Sequence, residues 1–257
     1  MNAKMKLISI IIIAVMYGNL KTFSQNNFSV GISNGLHKSY RLIKSYNSNL
    51  YYDYRNKNES SLGESNFDVF IKYSIKSTGF SLGSGIGITR LGYEINERIL
   101  IDPCFSPETC GYESILYRYN YDLIRVPLNI SYEVGEKIKF YITTGSSMYF
   151  SLSESVDLIL RKEYGNRKNQ NIKTRENESD FNKVNVSIDF GTGIGYRIIE
   201  RFYLYLQPEL SYLLFSYENS DIRDRNYNIS RFINEDKTTT EKLLSYGISL
   251  KLAYDFK

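Results

Sequence analysis

The most regular stretch of the chain is its end. Leu244, Tyr246, Ile248, Leu250, Leu252, Tyr254 and Phe256 alternate there with Ser245, Gly247, Ser249, Lys251, Ala253 and Asp255. A two-residue period puts every large apolar side chain on one face of an extended strand and every small or polar one on the other. The same rhythm recurs upstream in segments beginning at Phe28, Phe67, Phe80, Ile124, Ile138, Val184 and Phe202. In one of them Val184, Val186, Ile188, Phe190, Ile194 and Tyr196 alternate with Asn185, Ser187, Asp189, Gly191, Gly193, Gly195 and Arg197. With the last segment, the pattern predicts eight strands.

The connections fall into two classes. Residues 76–79, 135–137 and 199–201 are tight turns, whereas 38–65, 96–114, 152–182 and 218–241 are long polar linkers. Short turns at one end and long loops at the other are the asymmetry of an outer-membrane barrel, and an even strand count returns both termini to the periplasmic side. A soluble β-sandwich also has many short strands, but its apolar faces are the inner ones. Here the non-apolar faces carry glycines, serines and charges of both signs, which suit a narrow lumen. The fold expected is all-β: an eight-stranded antiparallel up-and-down transmembrane β-barrel. One stretch breaks the rhythm: Tyr117, Tyr119 and Tyr121 fall on the parity that points inward lower down the same strand. A bulge at the rim that switches the phase explains this, and so does strand that continues above the membrane.

The N-terminus has Lys4 and Lys6, an apolar run from Leu7 to Met16, and Thr22-Phe23-Ser24. A basic start, a short apolar core and small residues before a cut describe a secretory signal peptide, 1–24, leaving a barrel domain, 25–257. The apolar run is too short for a membrane-spanning helix, which needs about 20 residues. A mean hydropathy of −0.35 fits a soluble chain, and equally a barrel whose inward residues cancel its outward ones. The 24 Tyr and 14 Phe match aromatic girdles at two interfaces. A net charge of +4, well dispersed, gives no nucleic-acid footprint.

The inward positions carry Asp68, Glu133, Asp189, Glu209 and Asp255 against Lys72, Arg125, Lys139, Arg197 and Lys251. An eight-stranded barrel has an interior that its side chains just fill, so these charges are expected to pair and plug the lumen. Such a lumen argues against a porin.

Cys104 and Cys110 lie close together in an exported chain, which points to a disulfide closing a small loop. Two free thiols or half a metal site are the alternatives, although no His or further Cys is near. No metal and no cofactor are expected. Gly31-Ile32-Ser33-Asn34-Gly35 and Gly79-Phe80-Ser81-Leu82-Gly83 match G-x-S-x-G, but each sits inside an alternating strand, not at a strand-to-helix elbow. The spaced glycines 83–87 and 191–195 lack the helix that a dinucleotide fingerprint requires. His37, the one histidine, lies toward the outer end of the first strand with Ser39 nearby and Asp53 as a possible acid, so a lipid-modifying enzyme is the minor alternative. Within the linker 152–182, Arg161, Lys162, Arg167, Lys168, Lys173 and Arg175 stand with Glu163, Glu176, Glu178 and Asp180, a mixed, net basic run that reads as a solvated loop or as a surface for an acidic partner. Asn58-Glu59-Ser60 and Asn228-Ile229-Ser230 match glycosylation sequons that a bacterial location makes incidental.

Tyr121-Asp122-Leu123-Ile124-Arg125-Val126-Pro127-Leu128 resembles the Tyr-x-x-(Leu/Ile)-Pro-Leu stretch of the Bacteroidota outer-membrane β-barrel family that includes PorT-like proteins. Gln25 after the cut, the glycine-rich Phe190–Gly195 strand and the Tyr254-Asp255-Phe256 ending are similar to that family as well. Arg125-Val126, standing between Ile124 and Pro127, departs from the tidier pattern. The resemblance spans the mature chain and marks a barrel, not an activity. It implies an outer-membrane location in a Gram-negative bacterium, contact with outer-membrane lipid, and insertion by the barrel assembly machinery with the last strand as signal. It also implies a secretion-accessory role for some members. The expected function is a non-enzymatic integral outer-membrane barrel, monomeric, meeting extracellular or secretion partners through 38–65, 152–182 and 218–241. A small-molecule channel is the remaining alternative.

Overall fold

The computed structural model describes residues 27–44, 59–75, 78–98, 114–161, 167–173, 183–215 and 240–256. Among the described residues nine strands run in order: β1 (Phe28–Lys44), β2 (Glu59–Ser74), β3 (Phe80–Arg98), β4 (Ser114–Val134), β5 (Ile138–Arg161), β6 (Arg167–Lys173), β7 (Val184–Ile199), β8 (Phe202–Leu213) and β9 (Thr240–Phe256). Eight of them close into an antiparallel barrel. β9 pairs back onto β1 in unbroken register, from Phe28 opposite Phe256 to Lys44 opposite Thr240. β6 lies outside the ring. It pairs with the outer end of β5, Ser155–Arg161, while β7 takes that side of β5 from Phe150 downward.

The burial pattern is a soluble protein turned inside out. Ile71, Leu82, Ile130, Phe140, Phe190, Leu206 and Leu250 are exposed on the outer face, whereas Ser29, Ser33, Ser81, Thr143, Ser187 and Ser249 are buried inside. A contiguous apolar surface of this extent is stable only against hydrocarbon. The first outward polar side chains above the belt are Lys38, Ser65, Arg90, Asp122, Ser153 and Lys242. At the other end the turns are tight. Gly79 (φ 75°) and Gly135 (φ 108°) occupy the left-handed region at the β2–β3 and β4–β5 connections, where a Cβ is disfavoured. Glu200 and Arg201 join β7 to β8.

The strands are longer than the apolar rhythm predicts. Part of the expected linker 38–65 is the outer end of β1 and β2, and part of 152–182 is the end of β5 with all of β6. Antiparallel ladders are held by backbone hydrogen bonds, which need no apolar face once the strand is in water. The out-of-phase tyrosines are also resolved. β4 keeps one parity throughout, and the irregularity lies opposite, on β5: Asp122 faces Ser153 but Leu123 faces Ser151, leaving Leu152 as the extra residue. Inward positions on β5 therefore change parity, from Tyr149 to Glu154.

Candidate functional site: the lumen and its outer cap

Because alternate residues of every strand face inward, the lumen is built from one side chain in two on eight strands. They stack in three layers. In the periplasmic layer Glu133 accepts from Lys72 (2.7 Å) and Lys139 (3.3 Å). The ammonium of Lys139 also lies 4.0 Å from the centre of the Tyr203 ring. Ser29 donates to Asp255 (2.6 Å).

The middle layer is organised by Arg125. Its guanidinium is 3.2 Å from Asp189, 3.9 Å from Asp68 and 4.0 Å from Glu209, and its Nε donates to Ser147 (3.0 Å). Asp189 also accepts from the hydroxyls of Ser147, Ser187 and Ser211. Glu209 is contacted by His37 Nε2 (3.0 Å), Ser249 (2.7 Å) and Gln207 (3.1 Å). Charges taken out of water need such compensation by partners and hydrogen bonds. A cavity of about 100 Å³ remains between the layers, lined in part by His37, Asp68, Arg125, Glu209 and Lys251. That volume is on the scale of several waters.

The outer layer is apolar. Leu91, Tyr93, Ile95, Tyr121, Leu123, Tyr149, Leu213 and Leu243 form one buried cluster, with Tyr117 and Tyr119 packed on it. Leu123 is 0 % exposed. Tyr93 and Tyr119 stack at 4.7 Å, and the Arg41 guanidinium lies 4.4 Å from the Tyr93 ring centre while pairing with Glu59. Thus the lumen holds most of its ion pairs below, beside a smaller buried cluster of Tyr141, Tyr203, Tyr205 and Ala253, and a larger apolar cluster above.

Of the ten charges expected inside, Asp68, Lys72, Arg125, Glu133, Lys139, Asp189 and Glu209 are brought within ion-pair distance of a partner. Asp255 is held by Ser29. Among the described residues Arg197 and Lys251 have no carboxylate within that distance. The ammonium of Lys251 instead lies 5.9 Å from the Phe70 ring centre. The apolar cap lies where the alternation expects linker or broken phase, and its one sequence signal is the inward parity of Tyr117, Tyr119 and Tyr121. The spaced glycines make room for rings: a Cβ at Gly195 would overlap Tyr205, and one at Gly31 would overlap Phe70.

His37 is not at the rim. It is 8 % exposed inside the barrel, because β1 continues seven residues beyond it to Lys44. The Ser39 hydroxyl donates to the Gly92 carbonyl (2.7 Å) and accepts from the Gly92 N–H (2.8 Å), so it is not held by a base. Among the described residues no cluster of His, Cys, Asp and Glu is arranged to hold a metal ion. Residues 1–24, Asp53, Asn58, Cys104, Cys110 and Asn228 lie outside the described residues.

Above the belt the outer face of β2–β5 carries its own charges. Arg90 bonds Asp122 (2.6 Å), which also accepts from Ser153 (2.8 Å), and Arg118 bonds Glu94 (2.7 Å). Partial burial works against the Asp122 carboxylate, but the hydrogen bonds from Arg90 and Ser153 outweigh it and hold the carboxyl below its ordinary range. Glu64 is pushed up by burial, which the nearby Arg90 and Arg118 only partly offset.

Residues 23–200, more than half of the chain, match the family described as outer membrane protein beta-barrel domain. Among solved structures the chain is similar to Neisserial surface protein A (14 % identity, 89 % of this chain and 97 % of that one, TM-score 0.43). It is also similar to OprG from Pseudomonas aeruginosa (8 % identity, 89 % and 97 %, TM-score 0.44). A third similar structure is Ail of Yersinia pestis (10 % identity, 88 % and 99 %, TM-score 0.34). No curated protein matches the chain.

Proposed function

The chain belongs to the outer membrane protein β-barrel domain family, and from that premise we propose a non-conducting, non-enzymatic surface barrel that works through a partner bound at its outer end. The observation that carries this reading is the apolar cluster around Tyr121 and Leu123, stacked on the ion pairs of Arg125. A lumen so filled leaves little for a solute to use, and the paired charges read as plug rather than path. Catalysis has little support, because Ser39 is committed to Gly92 and His37 to Glu209. What remains available is the outer end, where β1–β5 continue beyond the apolar belt.

In this reading residues 1–24 direct export, the barrel assembly machinery inserts the chain with β9 as signal, and Cys104–Cys110 staples an outer loop. The partner is an extracellular or secretion component contacted through 38–65, 152–182 and 218–241. The resemblance to PorT-like proteins favours the secretion-accessory version. A photo-activated cross-linker at Ser60 or Leu152, exposed toward the outer ends of β2 and β5 and each within one of those stretches, tests the proposal in intact cells. A discrete protein adduct is expected. Its absence at both positions, with the barrel folded and heat-modifiable on gels, refutes a surface-partner role.

A further inference from the structure

Along β1 the outward positions are Phe28, Val30, Ile32, Asn34, Leu36 and Lys38. Asn34 is the misfit. It is exposed, and it sits in register between Phe67 of β2 and Leu250 of β9, both exposed apolar residues of the belt. Lys38, where polar outward residues begin on this strand, is four positions further on. Ser65 of β2, opposite Leu36, is two positions further on, so at about 3.3 Å per residue and a tilt of roughly 40° Asn34 lies on the order of 5–10 Å inside the hydrocarbon boundary.

Three hydroxyls on the same belt are satisfied within the sheet, while that of Ser84 on β3, smaller than a carboxamide, has no partner among the described residues. Thr144 donates to the Asp189 carbonyl (3.3 Å), Ser146 to that of Ser187 (2.8 Å) and Thr192 to that of Tyr141 (3.1 Å). The Asn34 carboxamide has no hydrogen-bond partner among the described residues. An unpaired amide in an apolar medium is heavily penalised, and hydrocarbon offers no water to relieve it. Beside it Leu36 is 73 % exposed, the most exposed large apolar side chain among the described residues. Its β2 neighbour in the ladder is only Ser65, so it stands proud of the wall.

We infer that the outer face of β1 around Asn34 and Leu36 is a membrane-embedded pairing surface for a second copy of this chain, the two Asn34 carboxamides hydrogen-bonding each other about a two-fold axis. A carboxamide is both donor and acceptor, so two copies related by a two-fold exchange reciprocal N–H···O bonds with nothing left over. The surrounding Ile32, Phe67 and Leu250 supply apolar contact and no charge, which disfavours a charged partner. Where the sequence reading expects a monomer, this face points to a pair.

The test uses the full chain in lipid vesicles, with energy transfer between labelled copies followed as protein is diluted in lipid. Wild type and Asn34→Gln are expected to associate, and Asn34→Leu to associate about tenfold more weakly, the scale of an interhelical-type polar contact in a membrane. Asn34→Leu removes a polar group from hydrocarbon, so it inserts and folds, which heat-modifiable migration verifies. Equal association of wild type and Asn34→Leu overturns the inference, as does transfer in wild type no greater than random mixing gives. In cells, Asn34→Cys in a background with Cys104 and Cys110 replaced by serine is expected to cross-link at twice the monomer mass. Cross-linking to a protein of different mass overturns the assignment to a second copy.

Discussion

Replacing Arg125 by leucine removes the one group among the described residues that faces three lumen carboxylates at once. The guanidinium lies 3.2 Å from Asp189, 3.9 Å from Asp68 and 4.0 Å from Glu209. Leucine keeps the bulk of the stem but leaves Asp68, Asp189 and Glu209 to the weaker compensation of His37, Lys251 and the serines. Breaking a buried pair by deleting one partner costs about 3–5 kcal/mol, because the surviving charges stay buried. With a urea dependence of about 3 kcal/mol/M, the upper end for small proteins, the unfolding midpoint should fall by roughly 1–2 M. The assay is urea unfolding of the barrel in lipid vesicles, followed by gel mobility or tyrosine emission, since the chain has no Trp. Adding Asp189→Asn to Arg125→Leu should recover part of the loss, because it removes one of the stranded charges. A loss below about 1 kcal/mol, the scale of an exposed pair, would mean that bulk water screens the lumen and that Arg125 is no buried linchpin.

Leu123→Ala should cost about 2–5 kcal/mol in the same unfolding assay, as for other fully buried leucines, by hollowing the outer cap. At the outer face, the Asp122 carboxyl is held below its ordinary value of 3.8, so its stabilising effect is present above that pH and lost as pH falls through the folded-state value. Wild type should therefore exceed Asp122→Asn by less than about 1 kcal/mol at pH 7, the two converging in strong acid when unfolding is compared across pH. Glu64 has the opposite sign. Its carboxyl is raised above 4.5, so its contribution is favourable below that pH and is lost as pH rises through the folded-state value, and Glu64→Gln should be more stable than wild type at pH 7.

The belt-crossing part of every barrel strand is legible in the sequence because lipid outside and packed polar groups inside impose opposite demands on alternate residues. Ile188 against Asp189 and Leu250 against Lys251 carry that contrast directly. Above the belt the demands exchange places. On β3 the outward Arg90 follows Ile88, while the inward Leu91 and Tyr93 follow Thr89, with no change in backbone parity. Hydrophobicity alone then reports a phase switch or a loop where the strand simply continues. The same blind spot shortened β1 and placed His37 at a rim that lies further out. Which charges pair was not legible either: parity puts Lys251 and Arg197 inside with the rest, but only the register decides that Glu133, and not Asp255, receives Lys72 and Lys139.

Closure of the lumen by the ion pairs below and the Tyr121–Leu123 cap above is tested most directly by recording the purified full chain in a planar bilayer. The proposed closure predicts a baseline without channel steps. A sustained, reproducible conductance from the wild-type protein would contradict it.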